Sequence, residues 1–270
     1  MVEAWGVPLI GLFVGLLVGL TSAGTGSLGT TLLVVFYGNP ASAIHYPSPV
    51  IVGSATVQGA AMKAVGSVRN WLGDTVPSRH ALWIVVPAIP CAAAGALLTD
   101  PLFEAGFFEP VLAVALLAAA GFLVGETALL KRGRSGQMPA LDTRYKAGAS
   151  ALGVGVGLLA GLTSVGTGTL TISALILVLR VPPREAASIA ILAGSLVFLF
   201  ASVSHLAQSH VDFGLVGLLL LGALPGILVG THFREKVDPE PLRFVIAAVI
   251  ALAAGRLLVK YLTGSNWFGF

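Results

Sequence analysis

Apolar residues run along this chain in membrane-length blocks, and polar or charged residues are confined to narrow gaps between them. Between residues 7 and 37 lie two apolar arms, 7–20 and 28–37, separated by Thr21-Ser22-Ala23-Gly24-Thr25-Gly26-Ser27. At about 1.5 Å of helical rise per residue the arms reach roughly 21 Å and 15 Å, against a hydrocarbon core about 30 Å thick. Each arm reaches the bilayer middle, which predicts a broken helix. Full-length apolar segments follow near 41–65, 80–99 and 110–130, and a polar connector from Lys131 to Lys146 closes the first half.

The second half repeats this plan, with arms at 148–162 and 170–179 and segments near 185–204, 212–231 and 242–262. Its break, Gly161-Leu162-Thr163-Ser164-Val165-Gly166-Thr167-Gly168-Thr169-Leu170, repeats the stretch that starts at Gly19, differing where Val165 replaces Ala23 and Thr169 replaces Ser27. Further matches support duplication. Pro40 corresponds to Pro182, Gly53-Ser54 to Gly194-Ser195, Pro90 and Gly95 to Pro225 and Gly230, and Glu109-Pro110 to Glu240-Pro241. The predicted organisation is one membrane domain made of a first repeat (1–130), a cytoplasmic basic connector (131–147) and a second repeat (148–270).

Basic residues choose between repeats that cross four times and repeats that cross three times, because cytoplasmic loops are enriched in Lys and Arg. With the connector inside and both broken segments turning back as hairpins, Lys63, Arg69, Arg79, Arg180, Arg184, Arg234, Lys236 and Arg243 also fall inside. Only Arg256 and Lys260 then lie outside. If both breaks cross, Arg180, Arg184, Arg234, Lys236 and Arg243 move outside, and the bias weakens. The expected fold is therefore an all-α integral membrane protein of two inverted repeats, each a re-entrant broken-helix hairpin plus three transmembrane helices. Both termini and the acidic loop of Asp100, Glu104 and Glu109 are expected outside.

Composition agrees: 56% hydrophobic and 10% charged residues, with a mean hydropathy of +0.93, lie outside the soluble range. The net charge of +3 reflects basic loops and not nucleic-acid binding. The N-terminus lacks the basic region of a secretory signal, so the first segment is expected to persist. The single cysteine, Cys91, excludes an internal disulfide. No histidine pair has metal-ligand spacing, and no nucleophile, zinc or nucleotide-loop motif occurs, so neither metal, cofactor nor enzyme chemistry is expected.

Two half-helices starting at the breaks would aim unbonded amides and positive dipole ends at the membrane midplane, an arrangement that suits an anion. The candidate substrate-binding residues are Thr21, Ser22, Thr25, Gly26 and Ser27 with Thr163, Ser164, Thr167, Gly168 and Thr169, and the mid-segment pair Ser54 and Ser195. The plainer reading is that the hydroxyls cap or back-bond to their helices. Gln58 shares a face with Ser54. Lys63 and Glu126 read as interfacial, Arg256 as snorkelling to the outer surface, and His45, His205 and His210 as residues at outer segment ends. Because neither break contains Lys or Arg, attraction is expected from the two helix ends alone, which favours a singly charged anion over a doubly charged one.

At these paired breaks, and in the proline, Gly-Ser and connector that follow them, the chain resembles the TauE/SafE family of permeases across its whole length. The resemblance implies transport of a small sulfur-containing anion, sulfite or an organosulfonate, across the bacterial cytoplasmic membrane. A proton is a candidate coupling ion. A passive anion channel and a non-transporting membrane subunit or scaffold are the alternatives.

Overall fold

The computed structural model describes residues 5–21, 25–38, 44–72, 77–130, 137–233, 236–237 and 239–263. Ser22, Pro40 and the connector residues 131–136 lie outside them, as do the side chains of Thr25, Arg69 and Glu126. Eleven helices are described: α1 (Gly6–Thr21), α2 (Thr25–Tyr37), α3 (Ser48–Leu72), α4 (Ser78–Leu97), α5 (Thr99–Glu104), α6 (Phe108–Leu130), α7 (Thr143–Thr163), α8 (Thr169–Leu177), α9 (Pro183–Ala207), α10 (Phe213–Phe233) and α11 (Pro239–Thr263). The fold is all-α. Six helices are long and apolar enough to cross a membrane: α4, α6, α7, α9, α10 and α11.

Several helices differ in extent from the sequence expectation, and two of these differences bear on the site. Helix α7 starts five residues before the expected arm because Asp142 caps it, accepting the Tyr145 amide at 2.7 Å. That gives it 21 residues. Helix α3 runs on past Lys63 to Leu72, and it is not among the six apolar helices. It carries Ser54, Thr56, Gln58 and Lys63 in its middle, all buried. Such a helix is sustained inside a membrane protein only where other helices cover its polar groups.

Helices of the two halves interleave. The most extensive packing is between α1 and α10 and between α4 and α7, each pair joining one half to the other. Glycines make both approaches. A Cβ on Gly11, Gly15 or Gly19 would run into the backbone of Leu219, Ala223 or Ile227; one on Gly153, Gly157 or Gly161 would run into Ile84, Ala88 or Ala92. The numbers rise together, so both pairs run parallel. Gly95 meets the Leu158 carbonyl as Gly230 meets that of Leu16, and these are matched positions of the two repeats. Small residues let backbones approach where lipid supplies no hydrophobic drive between helices.

Equivalent helices meet in the opposite sense. On α3 and α9, Gly59 lies against Phe198 while Lys63 lies against Gly194, so the helices run antiparallel. On α6 and α11, Glu109 near the start of one pairs with Lys260 near the end of the other at 2.7 Å. Outward faces carry large exposed apolar side chains such as Leu9, Val86, Leu221, Leu228 and Leu252, as a lipid-facing surface requires.

Candidate functional site

The second break is built from backbone geometry that ordinary helix cannot hold. Helix α7 stops at Ser164, whose left-handed conformation (φ 60°, ψ 6°) turns the chain, and Gly166 (φ 115°) turns it again before α8 starts at Thr169. A serine in that region is strained by about 1 kcal/mol, where helix ends normally place glycine. The Gly166 carbonyl accepts both the amide and the hydroxyl of Thr171, and the Gly168 carbonyl accepts the Ile172 amide. The amides of Thr169 and Leu170 have no acceptor among the described residues.

The first break docks onto the second. A Cβ on Gly26 would overlap the Ser164 carbonyl oxygen and touch the Phe198 ring, so the first turn of α2 rests on the turn that ends α7. Gly26 and Ser164, predicted as site residues from separate halves, are thereby in contact. Ser27 is buried one residue further on, and Gln58 of α3 faces Gly29.

Hydroxyls at this junction divide into two groups. Thr21 donates to the Leu17 carbonyl at 2.7 Å and Thr163 to that of Leu159 at 2.6 Å, the same back-bond in each repeat. By contrast, Ser27 Oγ, Ser164 Oγ, Thr167 Oγ1, Thr169 Oγ1 and Gln58 Nε2 are buried with no hydrogen-bond partner among the described residues, as are Thr30 Oγ1 and Thr31 Oγ1 further along α2. Each such group costs about 1–3 kcal/mol, so a concentration of them around one junction calls for a reason. Gly168 is half-buried beside them. Of the mid-segment pair, Ser54 accepts the Asp212 amide at 3.1 Å, and Ser195 is half-buried.

Lys63 is the residue that sequence reasoning missed. Because α3 continues for nine residues beyond it, Lys63 lies within the helix and not at an interfacial end; it is 6% exposed. Its Nζ donates to the Thr167 carbonyl at 2.7 Å and stands 5.2 Å from the centre of the Phe198 ring. Gly194 makes the space, since a Cβ there would lie 2.6 Å from that nitrogen. A basic side chain does reach the second break, which removes the premise that its charge must come from helix ends alone. The signal available in the sequence was a lone Lys followed by helix-compatible residues to Leu72. Arg256 instead points its Nη1 at the Val35 carbonyl, 3.4 Å away in the last turn of α2.

Helices long and apolar enough to cross a membrane, enclosing an interior of buried polar groups and a buried lysine, define the class: a multi-pass α-helical membrane protein. The chain belongs to the sulfite exporter TauE/SafE family, whose model matches residues 7–257. Among curated proteins it is 30% identical over 258 residues to the probable membrane transporter protein YjnA of Bacillus subtilis (strain 168), covering 93% of this chain and 98% of that one. A second B. subtilis protein, the probable membrane transporter protein YunE, is 28% identical over 105 residues, covering 39% of this chain and 38% of that one. No solved structure gives a significant match.

Proposed function

We propose that this protein moves a small sulfur oxyanion or organosulfonate through the junction of the two helix breaks, held there by Lys63, by the hydroxyls of Ser27, Ser164, Thr167 and Thr169, and by the amides that open α8. Gly26 seats the first break against the second, Gly168 keeps the backbone accessible, and Thr21, Thr163 and Ser195 shape the surround. The observation that carries this reading is Lys63 itself. An ammonium taken out of water needs compensation, and its described contacts are one carbonyl and one aromatic ring. An anion bridging it to the neighbouring hydroxyls would satisfy charge and donors together.

Inverted repeats in the bacterial cytoplasmic membrane, with both termini outside, complete the proposal. Two contacts support the inversion. His210 meets Asp100 at 2.7 Å and Lys260 meets Glu109 at 2.7 Å, so the loops or helix ends that carry each pair share one face. Repeats that cross four times would put the members of each pair on opposite faces. The antiparallel α3 and α9 support the same conclusion, and a site where discontinuous helices of inverted repeats meet is a recurrent transporter plan.

Calorimetric titration of the purified protein with sulfite, methanesulfonate and sulfate tests the site. Lys63→Met is expected to weaken binding by about 30-fold or more, corresponding to about 2 kcal/mol for an unpaired buried charge. Unchanged affinity in that variant, or no binding of any of the three by the wild type, would remove the proposal.

A further inference from the structure

Beside the second break, a chain of three polar contacts leads from a buried carbonyl to the protein surface. His205 of α9, fully buried, places Nε2 2.8 Å from the Gly161 carbonyl, three residues before Ser164. Its Nδ1 lies 3.3 Å from Nδ1 of His210, and His210 Nε2 lies 2.7 Å from Asp100 Oδ1. The His210 side chain is 7% exposed and that of Asp100 is 47% exposed, so the chain reaches solvent at its carboxylate end.

Hydrogen-bond chemistry fixes how many protons this chain holds. A carbonyl only accepts, so His205 Nε2 carries a hydrogen. One hydrogen must lie between the two Nδ1 atoms, and one between His210 Nε2 and the carboxylate. Two arrangements satisfy all three contacts with Asp100 ionised. In the first, His210 is the imidazolium beside Asp100 and His205 is neutral; in the second, His205 is the imidazolium beside Gly161 and His210 is neutral. They differ only in the transfer of one proton across the Nδ1···Nδ1 contact. Without that proton, either the two Nδ1 atoms at 3.3 Å or His210 Nε2 and Asp100 Oδ1 at 2.7 Å would be two acceptors facing each other.

We propose that Asp100, His210 and His205 form a proton relay that takes one proton from the exposed face and presents it as a positive charge on His205 beside the anion site, linking anion binding to uptake of one proton. The step balances: a proton from water joins the Asp100–His210 contact, the His210 Nδ1 hydrogen crosses to His205 Nδ1, and no other bond changes. Imidazole is the side chain suited to gaining and losing a proton near neutral pH.

The other charged or titratable groups around the relay are few. The turn before α10 contributes Asp212, whose carboxylate accepts the Leu215 amide, with Tyr46 in its field. Helix α3 presents Gly53 and Ser54 here, its buried cation Lys63 lying at the break. Helix α4 presents the Ala96 carbonyl, bonded to Gln208, and α5 adds Glu104, exposed at its far end. Asp100 is the carboxylate in contact with the pair.

This inference rests on the anion site proposed above, and the test separates the two. Methanesulfonate is titrated by calorimetry in buffers of different ionisation enthalpy, which counts the protons taken up with an anion whose own charge stays fixed. Across a pH series the wild type is expected to take up no proton where the free relay already holds its charge and up to one where it has lost it, its affinity there falling at most about tenfold per unit rise in pH. His205→Gln retains a donor for the Gly161 carbonyl, and it is expected to bind with no proton uptake and little pH dependence. Binding by the wild type without proton uptake at any pH, or unchanged uptake in His205→Gln, overturns the linkage and leaves the anion site standing. No binding by the wild type overturns the anion site and the linkage together. The relay is then judged by nitrogen-15 histidine spectra without anion: one proton shared between two coupled rings supports it, and two rings titrating independently overturn it.

Discussion

The buried hydroxyls of Thr167 and Thr169 separate a ligand site from mere packing. If they serve only structure, replacing Thr with isosteric Val removes an unpartnered polar atom and should do nothing but stabilise, by about 1 kcal/mol. If they serve an anion, the same change costs binding. Thr167→Val and Thr169→Val are therefore expected to raise the melting temperature in the absence of anion while shrinking the rise that sulfite produces, because a ligand stabilises only the state it binds. Paired thermal scans with and without sulfite measure both effects. Lys63 argues at the same scale. Two half-helix ends offset roughly one unit of negative charge, and the ammonium adds another, so a dianion is within reach. Lys63→Met should accordingly lose more affinity for sulfate than for methanesulfonate.

Helices α1 and α7 each carry three glycines one turn apart, and these set how deep the broken helices sit in the molecule. With no Cβ at Gly157, the backbone of α7 can lie against Ala88 of α4. A valine there must push one helix off the other. Insertion of such volume into a tight contact costs about 1–3 kcal/mol, and the displacement would carry Ser164 with it. Gly157→Val is expected to lower the melting temperature and to weaken sulfite binding. Gly155→Val, where a Cβ meets nothing within 4 Å, should change neither. Binding by the two variants, measured side by side, checks that position and not composition is responsible. The sequence does not pair these rows, because nothing along one chain says which helix lies opposite.

At the scale of the whole molecule, the proposed inversion makes a labelling prediction. Arg79, at the start of α4, Arg180, before α9, and Glu104 are all exposed; the proposed inversion puts the two arginines on one face and Glu104 on the other. In a protein whose Cys91 has been replaced by Ala, a cysteine at 104 should react with an impermeant reagent applied to intact cells, and cysteines at 79 and 180 should not. Reaction at 180 together with silence at 79 would point to parallel repeats instead.

Much of this architecture was legible because the bilayer imposes a simple code. Apolar runs must be about as long as the hydrocarbon is thick, so α4, α6, α9, α10 and α11 announce themselves, and a Gly/Thr/Ser stretch marks where α7 breaks off. What lay beyond the sequence was burial and meeting. Lys63 read as interfacial because the segment around it looked apolar only to about residue 65, whereas the covered helix continues to Leu72. His205 and His210 read as separate loop-end residues, since their alignment depends on Asp100, a residue in the other half. The sequence by itself determined the all-helical membrane class and the position of the second break, because these follow from local hydropathy and backbone chemistry. Only the tertiary structure decided which polar groups face one another, because that depends on helices more than a hundred residues apart being brought into contact by glycine.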